Sequence, residues 1–257
     1  MIFRNLIFLF LLTISSIHGQ ELMTQTIPGT EVSFNLELVT GNDSIPDFYM
    51  GTHEIPHDLY VLFKRKEFDN AESDLLDDYS PDAVTRPSPP YEDMTWGMGE
   101  EGGFPMVSMT QQGALRFCQW LYLKTGQFFR LPTPEEWTYV AAQLPNKDGW
   151  FAENSEDKFH KTGLISNGNG FYDMFGNVTE WTLDRKILKG GSFIDSREDI
   201  DANTVIKYDR AWQQRDPQIP KSIWWLTDGS FVGFRVIHPR APMTKDEIEA
   251  FFAEHIK

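Results

Sequence analysis

The sequence predicts a single folded domain that mixes a few helices with short strands, and three observations predict it. The chain has 257 residues, 40% of them hydrophobic, with 20 Phe and 8 Trp, which is enough to bury one sizeable core. Helix-capping signals occur at three places, near Thr110, Thr133 and Thr244. The long stretches around them are rich in Gly, Asn, Asp and Pro and leave room only for short strand-like pieces.

The first nineteen residues, 1–19, read as a cleaved signal peptide. Arg4 supplies the charged start, an apolar run extends from Leu6 to Ile14, and small or polar residues follow through Ser15, Ser16 and Gly19. The run is shorter than the ~20 apolar residues that span a bilayer. No other stretch is apolar enough to cross one, and Ile17, His18, Gly19 and Gln20 offer no cysteine for a bacterial lipid anchor. The mature chain is therefore expected to be secreted or periplasmic, with no membrane insertion after cleavage. Its folded domain is expected over 20–240, followed by a C-terminal amphipathic helix within 241–257.

Between Thr26 and Tyr60 the alternation of Val32, Phe34 and Leu36, broken at Gly41-Asn42-Asp43, predicts strands and a turn. Asp77 to Gly103 contains Arg86-Pro87-Ser88-Pro89-Pro90-Tyr91 and predicts a long surface excursion. A helix capped near Thr110 carries Ala114, Phe117, Cys118 and Leu121 at helical spacing and stops near Gly126. A second begins at Thr133-Pro134-Glu135-Glu136, where Thr133 caps, Pro134 suits the first turn and Glu136 closes a capping box; its inner face is Trp137 and Val140. From Asp148 to Pro239 the clearest strands are Leu188 to Phe193 and Phe231 to Ile237. Thr244 to Ile256 repeats the capping-box pattern with Glu247 and gathers Ile248, Phe251 and Phe252 on one face, which docks on the body or on a partner.

The formal charge of −15 excludes one class of function. Loss of Arg4 with the leader takes the mature chain to about −16. A surface this acidic repels phosphate backbones, and no basic stripe exists to release counterions, so no nucleic acid is expected as a partner. Cys118 is the single cysteine, which rules out an intramolecular disulfide. It lies in an apolar helical pattern, where free cysteine behaves as a small buried hydrophobe, and Arg116 faces elsewhere on the helix.

Four blocks carry a resemblance. In order they are Phe129-Arg130-Leu131-Pro132-Thr133-Pro134-Glu135-Glu136-Trp137, then Gly170-Phe171-Tyr172-Asp173-Met174-Phe175-Gly176-Asn177-Val178-Thr179-Glu180-Trp181, then Lys189-Gly190-Gly191-Ser192-Phe193, then Val232-Gly233-Phe234-Arg235-Val236. Together they resemble the formylglycine-generating-enzyme-like, or sulfatase-modifying factor, family, roughly from Ile27 to Pro239. The resemblance implies an α+β fold, the sulfatase-modifying-factor variant of the C-type-lectin fold, irregular with short strands and few helices. In such a domain Trp137 and Trp181 supply apolar area and an indole N–H each, and Arg130 and Arg235 pair with buried carboxylates.

The same resemblance implies a calcium site, whose ligands map onto Asp173, Gly176, Val178 and Glu180. Hard oxygen donors at a tight turn suit that ion. The other reading of these residues is that Glu180 accepts backbone hydrogen bonds and Asp173 caps a turn, with no metal. Asn42-Asp43-Ser44 and Asn177-Val178-Thr179 match the glycosylation pattern, although the second falls in a motif expected to be buried.

Family oxidases place two cysteines on the segment after the Gly-Gly-Ser strand, to bind copper and activate oxygen. Here that segment runs Ile194-Asp195-Ser196-Arg197-Glu198-Asp199-Ile200-Asp201-Ala202-Asn203, without a cysteine. Carboxylates and hydroxyls do not replace soft thiolates, so copper is not expected. The histidines outside the leader, His53, His57, His160, His238 and His255, make no compact metal motif, and Pro56 separates the first two.

No catalytic residue is therefore assigned. Trp212, Trp224 and Trp225, interspersed with Arg210, Arg215, Asp216 and Asp228, are read either as core with a solvated rim or as a groove. In the groove reading Arg210, Trp212, Trp224, Trp225 and Asp228 hold a peptide, a glycan or a protein partner, a sulfatase among them. The expected function is that of a secreted, non-catalytic binding protein. The alternatives are an oxidoreductase that converts a sulfatase cysteine to formylglycine, and a structural component of a secretion or surface machine.

Overall fold

The computed structural model describes residues 13–17, 20–65, 86–90 and 92–256. The chain begins with antiparallel strands, β1 (Thr13–Ile17), β2 (Gln20–Thr26), β3 (Ser33–Val39) and β4 (Phe48–Gly51). β1 lies within the segment read as a leader; residues 1–12, which hold most of its apolar run, lie outside the described residues. The alternation in β3 buries Phe34 and Leu36, as expected of a strand with one face on a core. The predicted turn at 41–43 is closed by Asn42, whose Oδ1 accepts from the N–H groups of Ser44 and Ile45 at 2.8 and 3.1 Å.

Helix α1 (His57–Lys64) follows, where only strand and turn were expected. Its cap position is Pro56, which makes no side-chain capping bond, so the usual local signal for a helix start is missing. The other helices carry their signals openly. α2 (Gln111–Thr125) starts at Thr110, whose side chain accepts from the Gly113 N–H, and ends at Gly126 in the left-handed conformation at φ 71°. α3 (Pro134–Ala141) and α4 (Lys245–His255) both show complete capping boxes, Thr133 with Glu136 and Thr244 with Glu247. α4 docks on the body: Phe252 and Phe251 meet Phe128 edge-on at 5.6 and 5.1 Å between ring centroids.

The second half is built from short pieces, β5 (Ser166–Gly168), β6 (Phe171–Tyr172), β7 (Thr179–Trp181), β8 (Ile187–Lys189), β9 (Ile206–Lys207), β10 (Val232–Gly233) and β11 (Ile237–Pro239). One sheet has the order β1-β2-β3-β4-β11 and another β10-β7-β8-β9, with β5 and β6 as a hairpin. Phe231 to Ile237, read from sequence as one strand, divides between the two larger sheets. Val232 and Gly233 run parallel to β7, and Ile237 pairs with Met50 of β4. The crossing between them carries Arg235, which is fully buried. This irregular α+β architecture matches the expected class.

The core gathers around α2 and the crossing segment. Tyr60 stacks on Phe117 at 5.4 Å, and Phe234 meets both edge-on. Each such ring contributes about 1.5–3 kcal/mol on burial. A second cluster unites Trp137, Phe151, Phe175, Ile200 and Ala202. The excursion predicted over 77–103 is partly outside the described residues. Its described part has no helix or strand, yet Arg86, Met94 and Thr95 are buried, and Ser88 O accepts from Trp225 Nε1 at 2.9 Å.

Candidate functional site

Two sequence-predicted sites can be placed residue by residue. In the first, β7 presents Glu180 to the crossing segment. Both of its oxygens are within 2.8 Å of Arg235 nitrogens, and Oε2 also accepts from Trp137 Nε1 at 2.8 Å. Asp173, at φ 49°, turns its carboxylate to the Gly163 and Ile165 N–H groups, at 2.5 and 3.3 Å. Burial pushes its pKa up to about 6. Gly176 holds φ 74° against the Trp150 backbone, and Val178 is buried beside Phe159 and Phe193.

Glu54 completes this buried cluster. It receives Asn177 Nδ2 at 3.0 Å, and desolvation, reinforced by Asp173, raises its pKa well above the ordinary carboxylate value. For the expected calcium ligand set, Glu180 is engaged by three N–H groups, Arg235 Nε shared between its oxygens, Arg235 Nη2 on Oε1 and Trp137 Nε1 on Oε2, while Glu54 Oε2 is buried without a partner. Among the described residues no group of three or more His, Cys, Asp or Glu could hold a metal. Asn177 itself is fully buried, in keeping with the low expectation of glycosylation there, whereas Asn42 is exposed.

The predicted tryptophan groove is not assembled. Trp224 and Trp225 are buried, Trp212 is half-buried between Tyr208 and Phe231, and Arg210 is exposed. The physical reason is a polar staple beneath the segment. Ser222 Oγ accepts from the N–H groups of Trp224 and Trp225, and Gln213 Nε2 donates to the carbonyls of Ser222 and Trp225 at 2.8 and 2.7 Å. These bonds turn both indoles inward. Asp228 is held by Arg215, whose guanidinium lies 4.4 Å from the ring of Trp96. Trp96, on the excursion, is the exposed tryptophan of this face, at 49%.

An open cleft of about 610 Å3 lies elsewhere, lined by Phe151, Glu153, Asn154, Ser196, Arg197 and Glu198. Three of these come from the segment after the Gly-Gly-Ser turn, and three from residues about forty positions earlier. Local chemistry fixes their shape. Asp195 Oδ2 accepts from Ser192 N and Oγ at 2.8 and 2.7 Å, Ser196 Oγ donates to Glu153 Oε1 at 2.7 Å, and Arg197 pairs with Asp148 at 2.9 Å. Hydrogen bonding from Ser196 and backbone N–H groups holds the Glu153 carboxyl below its ordinary pKa. Ile200 and Ala202 anchor the segment in the second core cluster. The cleft therefore offers hard oxygen donors and one guanidinium, and no sulfur, with Phe151 buried beneath it in the second core cluster.

Cys118 lies in α2, fully buried in the other core cluster, and desolvation pushes its thiol up. In that protonated state it is neither nucleophile nor soft ligand. Sequence reading found the changed segment but not the cleft, because Phe151, Glu153 and Asn154 carried no signal of their own.

Residues 16–239 match the family model of the sulfatase-modifying factor enzyme 1-like domain. Inactive C-alpha-formylglycine-generating enzyme 2 from Bos taurus is 31% identical over 134 residues, covering 40% of this chain and 42% of that protein. The protein of the same description from Mus musculus gives the same figures. The chain thus spans under half the length of these curated relatives. Among solved structures, Treponema denticola variable protein 1 superposes with a TM-score of 0.58 at 17% identity, over 85% of this chain and 99% of its own. PvdO from Pseudomonas aeruginosa does so with a TM-score of 0.51 at 16% identity, over 85% and 94%. At such identities the likeness is one of fold.

Proposed function

We propose that this chain, which belongs to the sulfatase-modifying factor enzyme 1-like family, is a non-catalytic member that binds an extended protein segment in the cleft of Phe151, Glu153 and Arg197. One observation carries the reading: the single thiol of the sequence is sealed in α2, while the segment after Gly190-Gly191-Ser192 is built from carboxylates, hydroxyls and aliphatic side chains. Copper(I) selects paired soft donors, and this cleft has none. The relatives described as inactive formylglycine-generating enzymes support the same direction.

The partner chemistry follows from the lining. Glu153 and Glu198 attract cationic or N–H groups, and Arg197 is steadied by Asp148. A protein segment is favoured over a glycan because the exposed tryptophan, Trp96, lies on the excursion loop rather than among the lining residues. A cysteine-containing sulfatase segment is the first candidate, given the family. The leader-like residues 1–19 support export to the periplasm or beyond.

A fluorescently labelled sulfatase-motif peptide, followed by anisotropy, tests the binding half. The reading expects saturable binding weakened by Glu153→Ala and Arg197→Ala. Unchanged binding in both variants would remove the cleft from the account.

A further inference from the structure

We infer that the indole of Trp225 and its neighbours on α1 form a docking shelf for a proline-rich protein segment, and that this chain's own residues 86–90 cover the shelf in the manner of such a ligand. Pro87, Pro89 and Pro90 fix their own φ and keep Arg86, Ser88 and Pro89 out of the helical region. Residues 87–90 accordingly form neither helix nor strand. A run of this kind is extended before it docks, so it loses little entropy on binding and presents carbonyls that no sheet or helix has used. The carbonyl of Ser88 accepts from Trp225 Nε1 at 2.9 Å. Trp225 is buried, the Lys64 ammonium lies 5.6 Å from its ring centroid, and Pro90 lines the same small gap as Trp225. An aromatic surface with one N–H to place a carbonyl matches what a proline-rich run offers.

The fit of the chain's own run is incomplete, which leaves the shelf open to exchange. Among the described residues, the Ser88 carbonyl makes the one hydrogen bond that residues 87–90 form with the rest of the chain. Ser88 and Pro89 are exposed and Pro90 is half-buried. A segment tied by so few bonds opens at lower cost than the core. Beside Pro90 a gap of about 20 Å3 remains, bounded by His57, Lys64, Met94 and Trp225 among others. His57 Nδ1 is buried without a hydrogen-bond partner, so the run leaves unused a polar group that a longer side chain from another protein can meet. The shelf shares no residue with the cleft of Phe151, Glu153 and Arg197.

Anisotropy of a fluorescein-labelled peptide that copies Arg86 to Tyr91 tests the inference. In wild type the chain's own run competes from within. Binding to Pro89→Ser/Pro90→Ser should therefore be about fivefold tighter, because two freed φ angles make the run costlier to dock. Pro89→Ser alone, at an exposed position, replaces the double variant should that not fold, and should tighten binding about twofold. A peptide with serine in place of each proline should not bind, and binding of the parent peptide should shift the indole N–H resonance of Trp225. Absence of saturable binding to the folded variant overturns the inference, as do equal affinities for wild type and variant, equal affinities for the two peptides, or a Trp225 resonance that stays in place.

Discussion

Trp137 Nε1 donates to Glu180 Oε2 at 2.8 Å and so ties helix α3 to strand β7 through a bond sealed from solvent. Trp137→Phe keeps most of the ring but leaves one carboxylate oxygen short of a donor. Arg235 Nε still reaches that oxygen, so the expected loss is about 1.5–3 kcal/mol, the worth of a hydrogen bond to a charged group. A lower urea midpoint at unchanged slope would show it, and a midpoint equal to wild type would deny the bond any weight.

Arg130 and Glu136 form a two-pronged pair, with both N···O distances at 2.7 Å, while Glu136 also closes the capping box at Thr133. Glu136→Ala removes both, and about 2 kcal/mol should go with the cap and the nearly buried pair. Lys158→Ala, which breaks an exposed pair with Glu156, should leave the midpoint where it was. Equal effects in the two variants would contradict this ranking.

Gly176 and Gly126 have nearly the same positive φ, 74° and 71°, yet their surroundings differ. A Cβ at Gly126 meets open space, whereas one at Gly176 runs into the Trp150 backbone. Gly126→Ala should therefore cost about 1–2 kcal/mol, the penalty of a left-handed alanine. Gly176→Ala adds a backbone collision and should yield little soluble protein. Comparable melting curves for the two would argue against the close approach.

His238 packs between Tyr49 and Phe129, shares a hydrogen bond with Phe128 O at 2.7 Å, and is held below its ordinary pKa by burial. The unfolded imidazole takes a proton near pH 6.5 and the native one resists it, so the unfolded state binds more protons just below that pH. Stability contributed by the neutral ring is complete above about pH 6.5 and declines as the pH falls. Relative to His238→Gln, the wild type should lose stability between about pH 6.5 and 5. A relative gain over that range would reverse the sign and the explanation.

Legibility in the sequence followed the range of the interactions. The starts of α2, α3 and α4 could be read to within a residue because Thr110, Thr133 and Thr244 cap their own next turn. α1 could not, since Pro56 offers no capping oxygen and the helix is held by packing of Leu59, Tyr60 and Phe63. Pairing of Arg130 and Arg235 with carboxylates was readable as a requirement of burial, whereas the identity of Glu180 as a partner 55 positions away needed the fold. The tryptophan groove failed because the inward turn of Trp224 and Trp225 depends on Ser222 and Gln213 beneath them. The cleft joins residues near 153 to residues near 197, a distance in sequence that no local pattern spans.

The non-catalytic reading proposed above rests on the single, buried cysteine of this sequence, and a product assay tests it most directly. The purified protein is incubated with copper, oxygen, a reductant and a cysteine-containing sulfatase peptide, and the peptide is examined by mass spectrometry for an aldehyde. The account predicts unmodified cysteine at every time point, in the wild type and in Cys118→Ser alike. Accumulation of formylglycine that persists in Cys118→Ser would contradict it.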